Sequence, residues 1–151
     1  MVNKNFFIEN KNFLIAEVGI NHNGNLKNAL KLVDVAKKSG ADAIKFQTYI
    51  TEKRINKKYV KIFRILKKCE LTYREFGIIN DYCKSKKIIF FSTPFDCESV
   101  EYLNSIKVKL FKVASFDIAN IELINKILTT KKPTIVSTGM ASFNEIKKIY
   151  N

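Results

Sequence analysis

Five short apolar runs recur along the chain, at residues 13–18, 43–49, 88–93, 110–115 and 133–138, each rich in β-branched or aromatic side chains. They are apolar continuously and not alternately, the pattern of strands covered on both faces in a parallel sheet. The segments between them carry helical spacing. Leu26, Ala29, Leu30, Val33 and Ala36 share one face of a helix predicted over residues 26–39, and Gly40 supplies its stop. The second connection is longer. It predicts a short helix over residues 57–68, then one opened by the capping box Thr72-Tyr-Arg-Glu75, with Phe76, Ile79 and Cys83 turned inward. Asp96 is placed to cap a helix with Val100 and Leu103 inside, and Asn120 one with Ile121, Ile124 and Leu128 inside. Ser142-Phe-Asn-Glu145 repeats the capping box close to Asn151.

Five strand–helix units in succession demand a parallel sheet with right-handed crossovers. Two architectures satisfy that order: an open doubly wound sheet, or a piece of a (β/α)8 TIM barrel. They differ in where polar residues gather, because a barrel collects its strand ends around one mouth while an open sheet concentrates function at a switch point. Here every run ends in polar groups: Glu17 on the first, Lys45 and Gln47 on the second, Ser92 and Thr93 on the third, Lys112 and Ser115 on the fourth, Ser137 and Thr138 on the fifth. That distribution favours the barrel. A whole barrel needs about 250 residues. The 151 residues are therefore expected to form an α/β, partial TIM barrel of about five β/α units, with residues 1–151 as its N-terminal portion. Its fifth strand is expected to present an unpaired edge, and the chain to be poorly stable alone.

Composition narrows the class without changing this picture. A chain 46% hydrophobic and 27% charged, with five Gly and two Pro, fits one soluble core-forming domain and excludes fibrous and low-complexity classes. No run approaches the roughly 18 consecutive apolar residues of a membrane span. The polar residues in MVNKNFFIENKNF argue against a signal peptide, so a cytoplasmic location is expected. Cys69, Cys83 and Cys97 are odd in number and lack a CxxC pair, which points to reduced packing thiols and to neither a disulfide framework nor a zinc site. A net charge of +13 admits nucleic acid or an anionic substrate, yet only Arg54, Arg64 and Arg74 are arginines among 27 basic residues. No aromatic–basic interleaving or recognition module accompanies them. The lysine excess reads as compositional bias, and neither a nucleic-acid nor a membrane partner is expected.

Lys45 and Lys112 stand inside otherwise apolar strands, where an unpaired ammonium is too costly to persist without a partner or a ligand. Two inward lysines near one mouth make a cationic pocket for an anion. The plainer readings are a core Lys45 paired with Glu17 and a solvated edge Lys112. Thr93, Ser115 and Ser137 lie where strand gives way to loop, so their hydroxyls are candidate donors to phosphate oxygens beside those lysines, or else turn formers and caps. Glu17 and Asp117 are two carboxylates available as acid, base or hydroxyl acceptors; the alternatives are a lysine counter-ion and a helix cap. His22, the only histidine, sits in the turn signal Asn21-His-Asn-Gly24. A catalytic or substrate contact stays open for it, but one imidazole without neighbouring ligands cannot hold a transition metal.

Ala16-Glu-Val-Gly-Ile-Asn-His-Asn-Gly24, Lys45-Phe-Gln-Thr48, Phe91-Ser-Thr-Pro-Phe95, Lys112-Val-Ala-Ser115 and Ser137-Thr-Gly-Met-Ala141 together resemble, in order and spacing, the N-acetylneuraminate (sialic acid) synthase family. The resemblance spans nearly the whole chain. It implies a phosphoenolpyruvate-dependent condensation with a 2-acetamido sugar such as N-acetylmannosamine, yielding a nonulosonic acid and phosphate. By the same analogy Lys45, Lys112, Thr93, Ser115 and Ser137 hold the phosphate and carboxylate of phosphoenolpyruvate, and Gln47 contacts substrate. Glu17 and Asp117 are implied for proton handling and water orientation, and Mn²⁺ or Mg²⁺ as the Lewis acid on the sugar aldehyde. Full-length members are homodimers.

Three departures qualify the likeness. Ser115-Phe116-Asp117 stands where sialic acid synthases usually read Ser-Gly-Glu or Ser-Gly-Asp, and it looks closer to the pseudaminic acid synthases, which leaves the sugar open. The family's metal-binding histidines lie on later strands, so the ligands of the metal are not expected in this chain. The family's small C-terminal antifreeze-like domain has no counterpart in it, and a C-terminal complementing chain is a candidate partner. The rival readings are an inactive or binding-only half-barrel, a class I aldolase using Lys45 or Lys112 as a Schiff-base nucleophile, and a basic nucleic-acid module.

Overall fold

The computed structural model describes residues 12–150, so most of the polar N-terminal stretch weighed against export lies outside the described residues. The chain runs β1 (Ile15–Gly19), α1 (Leu26–Lys38), β2 (Ala43–Thr48), α2 (Thr51–Arg54), α3 (Val60–Cys69), α4 (Tyr73–Ser85), β3 (Ile89–Pro94), α5 (Cys97–Ser105) and β4 (Phe111–Val113). A 3-10 turn (Ser115–Asp117), α6 (Ile121–Leu128), β5 (Thr134–Val136) and α7 (Phe143–Tyr150) complete it. All five expected strands are present, shifted at their ends. β4 is short because the backbone enters the 3-10 turn at Ser115, and α2, a single turn, is too brief for any periodicity to reveal.

The strands pair in parallel in the order β1-β2-β3-β4-β5. That order decides between the two architectures. A doubly wound sheet reverses its winding and carries helices on both faces, whereas unreversed right-handed crossovers put every helix on one face, as in a barrel wall. Alternation along the strands then sorts the core into two layers. Ile44, Phe46, Phe90, Phe111 and Val113 pack with Val33, Phe76, Ile79, Leu103 and Ile127 of the helices. On the opposite face Ala43, Phe91 and Leu110, backed by Ile15, Ile89 and Ile135, form a smaller apolar floor.

The caps fall where the side chains dictate. Thr72 Oγ1 accepts the Glu75 N–H at 3.2 Å while Glu75 Oε2 accepts the Thr72 N–H at 2.7 Å, the reciprocal box expected at the head of α4. Thr72→Ala is expected to lower stability by about 1 kcal/mol, seen as a lower urea midpoint at unchanged slope. α6 corrects the expectation for its inner face: Leu123, Ile124 and Ile127 are buried, while Ile121 and Leu128 are exposed. Those two are the first and last residues of an eight-residue helix, and only its middle rests on the sheet. The cysteines are free; Cys69 and Cys83 are buried and Cys97 half-buried. Burial pushes the Cys83 thiol up to about 12, as suits a packing residue. Among the described residues no helix is long and apolar enough to cross a membrane.

Candidate active site

The alternation that puts Ile15, Ala43, Phe91, Leu110 and Ile135 on the inner face puts the residue two places further along each strand on the same face, nearer the carboxyl ends. Those residues are Glu17, Lys45, Thr93, Lys112 and Ser137. A polar layer therefore sits directly on the apolar floor. The register brings the first of them abreast, Glu17 beside Lys45 and Gln47 beside Thr93.

Lys45 is buried, with Nζ 3.0 Å from Glu17 Oε2 and donating to Thr93 Oγ1 at 3.1 Å. The plain pairing with Glu17 is thus present, and a hydroxyl of the expected phosphate set is present with it. Because the Glu17 side chain is 62% exposed, water already solvates it and competes for the contact. Lys112 is half-buried and donates to Ser137 Oγ and to the Val113 carbonyl, both at 2.5 Å. Burial first, and then the charge of Lys45, push its amine below the usual lysine range, with Glu17 opposing. Two ammonium groups that feel each other, each carrying a strand-end hydroxyl, make a cradle that an anion relieves.

Ser115 opens the 3-10 turn half-buried, outside the hydrogen bonds of the two lysines. Asp117 ends that turn, and Asn120, not Asp117, caps α6 through the Leu123 N–H at 3.2 Å. Asp117 Oδ2 is buried without a hydrogen-bond partner among the described residues. Burial pushes this carboxyl above the usual aspartate range, and Arg54 acts in the opposite direction. The two candidate carboxylates therefore answer to different cations: Glu17 is paired with Lys45, and Asp117 feels the charge of Arg54.

Arg54 is the residue that sequence reasoning passed over. It lies on α2, with its guanidinium 3.7 Å from the Phe95 ring centroid and 4.6 Å from that of Tyr49, and it donates to Gln47 Oε1 at 3.2 Å. Gln47, expected as a substrate contact, is tied to it. The signal that was available is the arginine itself: in so lysine-rich a chain, one placed just past a strand end suggests a fork-and-stack geometry that lysine cannot supply. Phe116, 55% exposed, lies parallel to Phe95 with ring centroids 5.7 Å apart.

His22 belongs to the other side of the sheet. It stacks on Phe46 of the helix-facing layer at 6.0 Å, its Nδ1 accepts the Gly24 N–H at 3.1 Å, and its Nε2 has no partner among the described residues. Its imidazole is almost fully enclosed, and burial holds it below its usual pKa, with Glu75 opposing. As pH falls below about 6.5, the unfolded chain binds this proton before the folded one does, so stability is lost from there down to the folded value. Between pH 7 and pH 5 urea denaturation is expected to show a steeper loss in the wild type than in His22→Gln.

A family model described as the NeuB family matches residues 32–151. The chain belongs to the NeuB family. An uncharacterised protein of Methanocaldococcus jannaschii is 46% identical to this NeuB chain over 134 residues, 89% of the chain and 40% of that protein. The N,N'-diacetyllegionaminic acid synthase of Campylobacter jejuni is 38% identical over 154 residues, 93% of the chain and 46% of that protein. Among solved structures, the N-acetylneuraminic acid (sialic acid) synthetase of Leptospira borgpetersenii, crystallised with citrate, superposes with a TM-score of 0.88 at 38% identity. That match covers 91% of the chain and 48% of the synthetase. The NeuB chain therefore spans less than half the length of these relatives. Among its described residues no three His, Cys, Asp or Glu side chains come together to hold a metal ion. They do not fit the divalent metal that the resemblance implies.

Proposed function

We propose that residues 1–151 supply the phosphoenolpyruvate-binding part of a NeuB-type synthase that joins phosphoenolpyruvate to a 2-acetamido sugar and releases phosphate. The observation that carries this reading is the pairing of Lys45 with Thr93 and of Lys112 with Ser137 on one face, directly above the apolar floor. Phosphoenolpyruvate carries a phosphate and a carboxylate on one small frame, and two ammonium groups with two hydroxyls match that pair of anions. Held there, its C3 is positioned against the aldehyde carbon of the sugar. The new C–C bond forms from the enol π electrons, water adds at C2, and the C2–O bond breaks with its electron pair leaving on phosphate. The water loses one proton as it adds and its second as the C2 hydroxyl collapses to the keto group; one of these ends on the aldehyde oxygen and the other on the departing phosphate. Burial favours the protonated form of Asp117, which suits the donor, while solvated Glu17 suits the acceptor.

The legionaminic acid synthase relative supports an amino-sugar-derived acid as the product. In this reading the strands that complete the barrel come from sequence outside residues 1–151. The full-length assembly is a cytoplasmic homodimer. The test is a phosphate-release assay with phosphoenolpyruvate, Mn²⁺ and a panel of 2-acetamido sugars, run on the chain alone and with any downstream continuation. Sugar-dependent release in either setting supports the reading, and the active sugar settles specificity; folded protein that releases no phosphate in both overturns it.

Lys112 favours a second reading, because an amine pushed below the usual lysine range is what Schiff-base formation requires. Borohydride with pyruvate is expected to leave Lys112 unlabelled by mass spectrometry. A reduced adduct there would replace the synthase by a class I aldolase.

A further inference from the structure

Arg54 is built into the mouth on fixed supports. The Tyr49 ring beneath its guanidinium is anchored by its own hydroxyl, which donates to the Leu66 carbonyl of α3 at 2.9 Å. The Phe95 ring follows directly on β3, where the Phe95 N–H donates to the Thr48 carbonyl of β2 at 3.1 Å, and Phe116 lies parallel to that ring. One of the five guanidinium N–H donors is used, on Gln47 Oε1, which fixes which end of the Gln47 amide faces Arg54. The carboxyl on which this cation's charge acts is that of Asp117, whose Oδ2 is the one carboxylate oxygen both buried and without a hydrogen bond among the described residues.

Burial disfavours ionisation of a carboxyl so placed, and an opposite charge in the neighbourhood favours it. Among the described residues Arg54 is the one charged group that acts on Asp117, and Tyr49 and Asp117 are those that act on Arg54. Burial pushes the Tyr49 hydroxyl up to about 12, so Tyr49 stays neutral and is no rival anion. A stacked, oriented cation with a single hydrogen bond is more than packing requires of a helix of four residues.

We propose that Arg54 is a positioning residue of this mouth: from its aromatic rack it orients the Gln47 amide and supplies the counter-charge for Asp117. The proposal rests on the synthase reading only for what Gln47 and Asp117 then do to a sugar; the arrangement itself is a property of the chain. Arg54 acts through these two residues and touches no reacting atom. Without it the buried Asp117 carboxyl is harder to ionise, which slows its return from acid to carboxylate during turnover. Lysine in its place keeps a charge but loses the fork and the flat stack, so conservative and neutral substitutions separate the two roles.

The test is a carboxyl ¹³C NMR titration of Asp117 in the whole chain, assigned with Asp117→Asn. The midpoint is expected to rise by about one pH unit in Arg54→Gln, and Arg54→Lys is expected to recover most of that shift. An unchanged midpoint in a folded Arg54→Gln overturns the proposal. Should that variant not fold, Arg54→Met keeps an apolar side chain on Phe95 without the charge and decides in the same way. In an assembly that turns over, the acid limb of kcat/KM moves upward with the midpoint. The KM for sugar rises severalfold in both Arg54→Gln and Arg54→Lys while that for phosphoenolpyruvate holds; equal changes in both constants overturn the Gln47 role. A chain that shows the titration shift and never releases phosphate keeps the role of Arg54 and overturns the synthase reading instead.

Discussion

Gly24→Ala is expected to destabilise the chain by at least about 3 kcal/mol, far more than any other glycine-to-alanine change at a left-handed position. Gly24 has φ +69°, and an added Cβ would stand 2.1 Å from the Lys68 carbonyl oxygen and 3.2 Å from its carbon. Neither atom is the movable end of a side chain. The end of α3 is held from several sides: the Tyr49 hydroxyl donates to the Leu66 carbonyl, and Glu70 accepts the Thr51 N–H at 2.9 Å. To admit one methyl group the β1–α1 turn and α3 would have to part, and the buried His22, bonded to the Gly24 N–H, would move with them. Gly40 supplies the control, since its φ is +83° with nothing within 4 Å of an added Cβ. Gly40→Ala carries the backbone strain alone, about 1 kcal/mol. Urea denaturation of both variants measures the difference, and equal losses would show that backbone strain, not the contact with Lys68, governs the turn.

What was legible in the sequence follows from what periodicity can encode. A parallel strand buried on both faces must be apolar throughout, so all five strands announced themselves, and a polar residue at the end of such a run had to face a ligand or a partner. Because side chains alternate, the two-residue steps from Ala43 to Lys45 and from Leu110 to Lys112 already placed both lysines above the apolar floor. Three things were hidden, each for its own reason. α2 is four residues long and leaves no period. The direction of Asp117 depends on a 3-10 turn, which no hydrophobic pattern specifies, and Arg54 acquires its role only when Tyr49, Phe95 and Gln47 converge from three parts of the chain. His22 sat in a motif that suggested chemistry, but the turn carries it to the helix side of the sheet, where Phe46 covers it. Short-range signals thus placed the polar layer on the apolar floor, and long-range packing decided which cation acts on which carboxylate.

Lys45→Met is expected to abolish phosphate release, by about a thousandfold or more, while leaving the fold nearly as stable as before. Both halves follow from the surroundings of Lys45. Removing one member of a buried ion pair is ordinarily damaging because a bare charge stays behind in the interior. Here the charge left behind is Glu17, whose side chain is 62% exposed and so already solvated, and Thr93 loses only a donor to its hydroxyl. Methionine fills a similar volume without the cost of burying an ammonium, so the urea midpoint is expected within about 1 kcal/mol of the wild type. Function has no such substitute, because the anion cradle depends on two cations and methionine offers neither charge nor donor. Lys112→Met is expected to cause a comparable loss, and the double variant little more than either alone, since in the proposed cradle both lysines would act on one ligand. Calorimetry of phosphoenolpyruvate binding to the chain, with phosphate release in the active assembly, reads these effects. If Lys45 served only as the core partner of Glu17, Lys45→Met would bind and turn over like the wild type, and the cradle would have to be assigned to other residues.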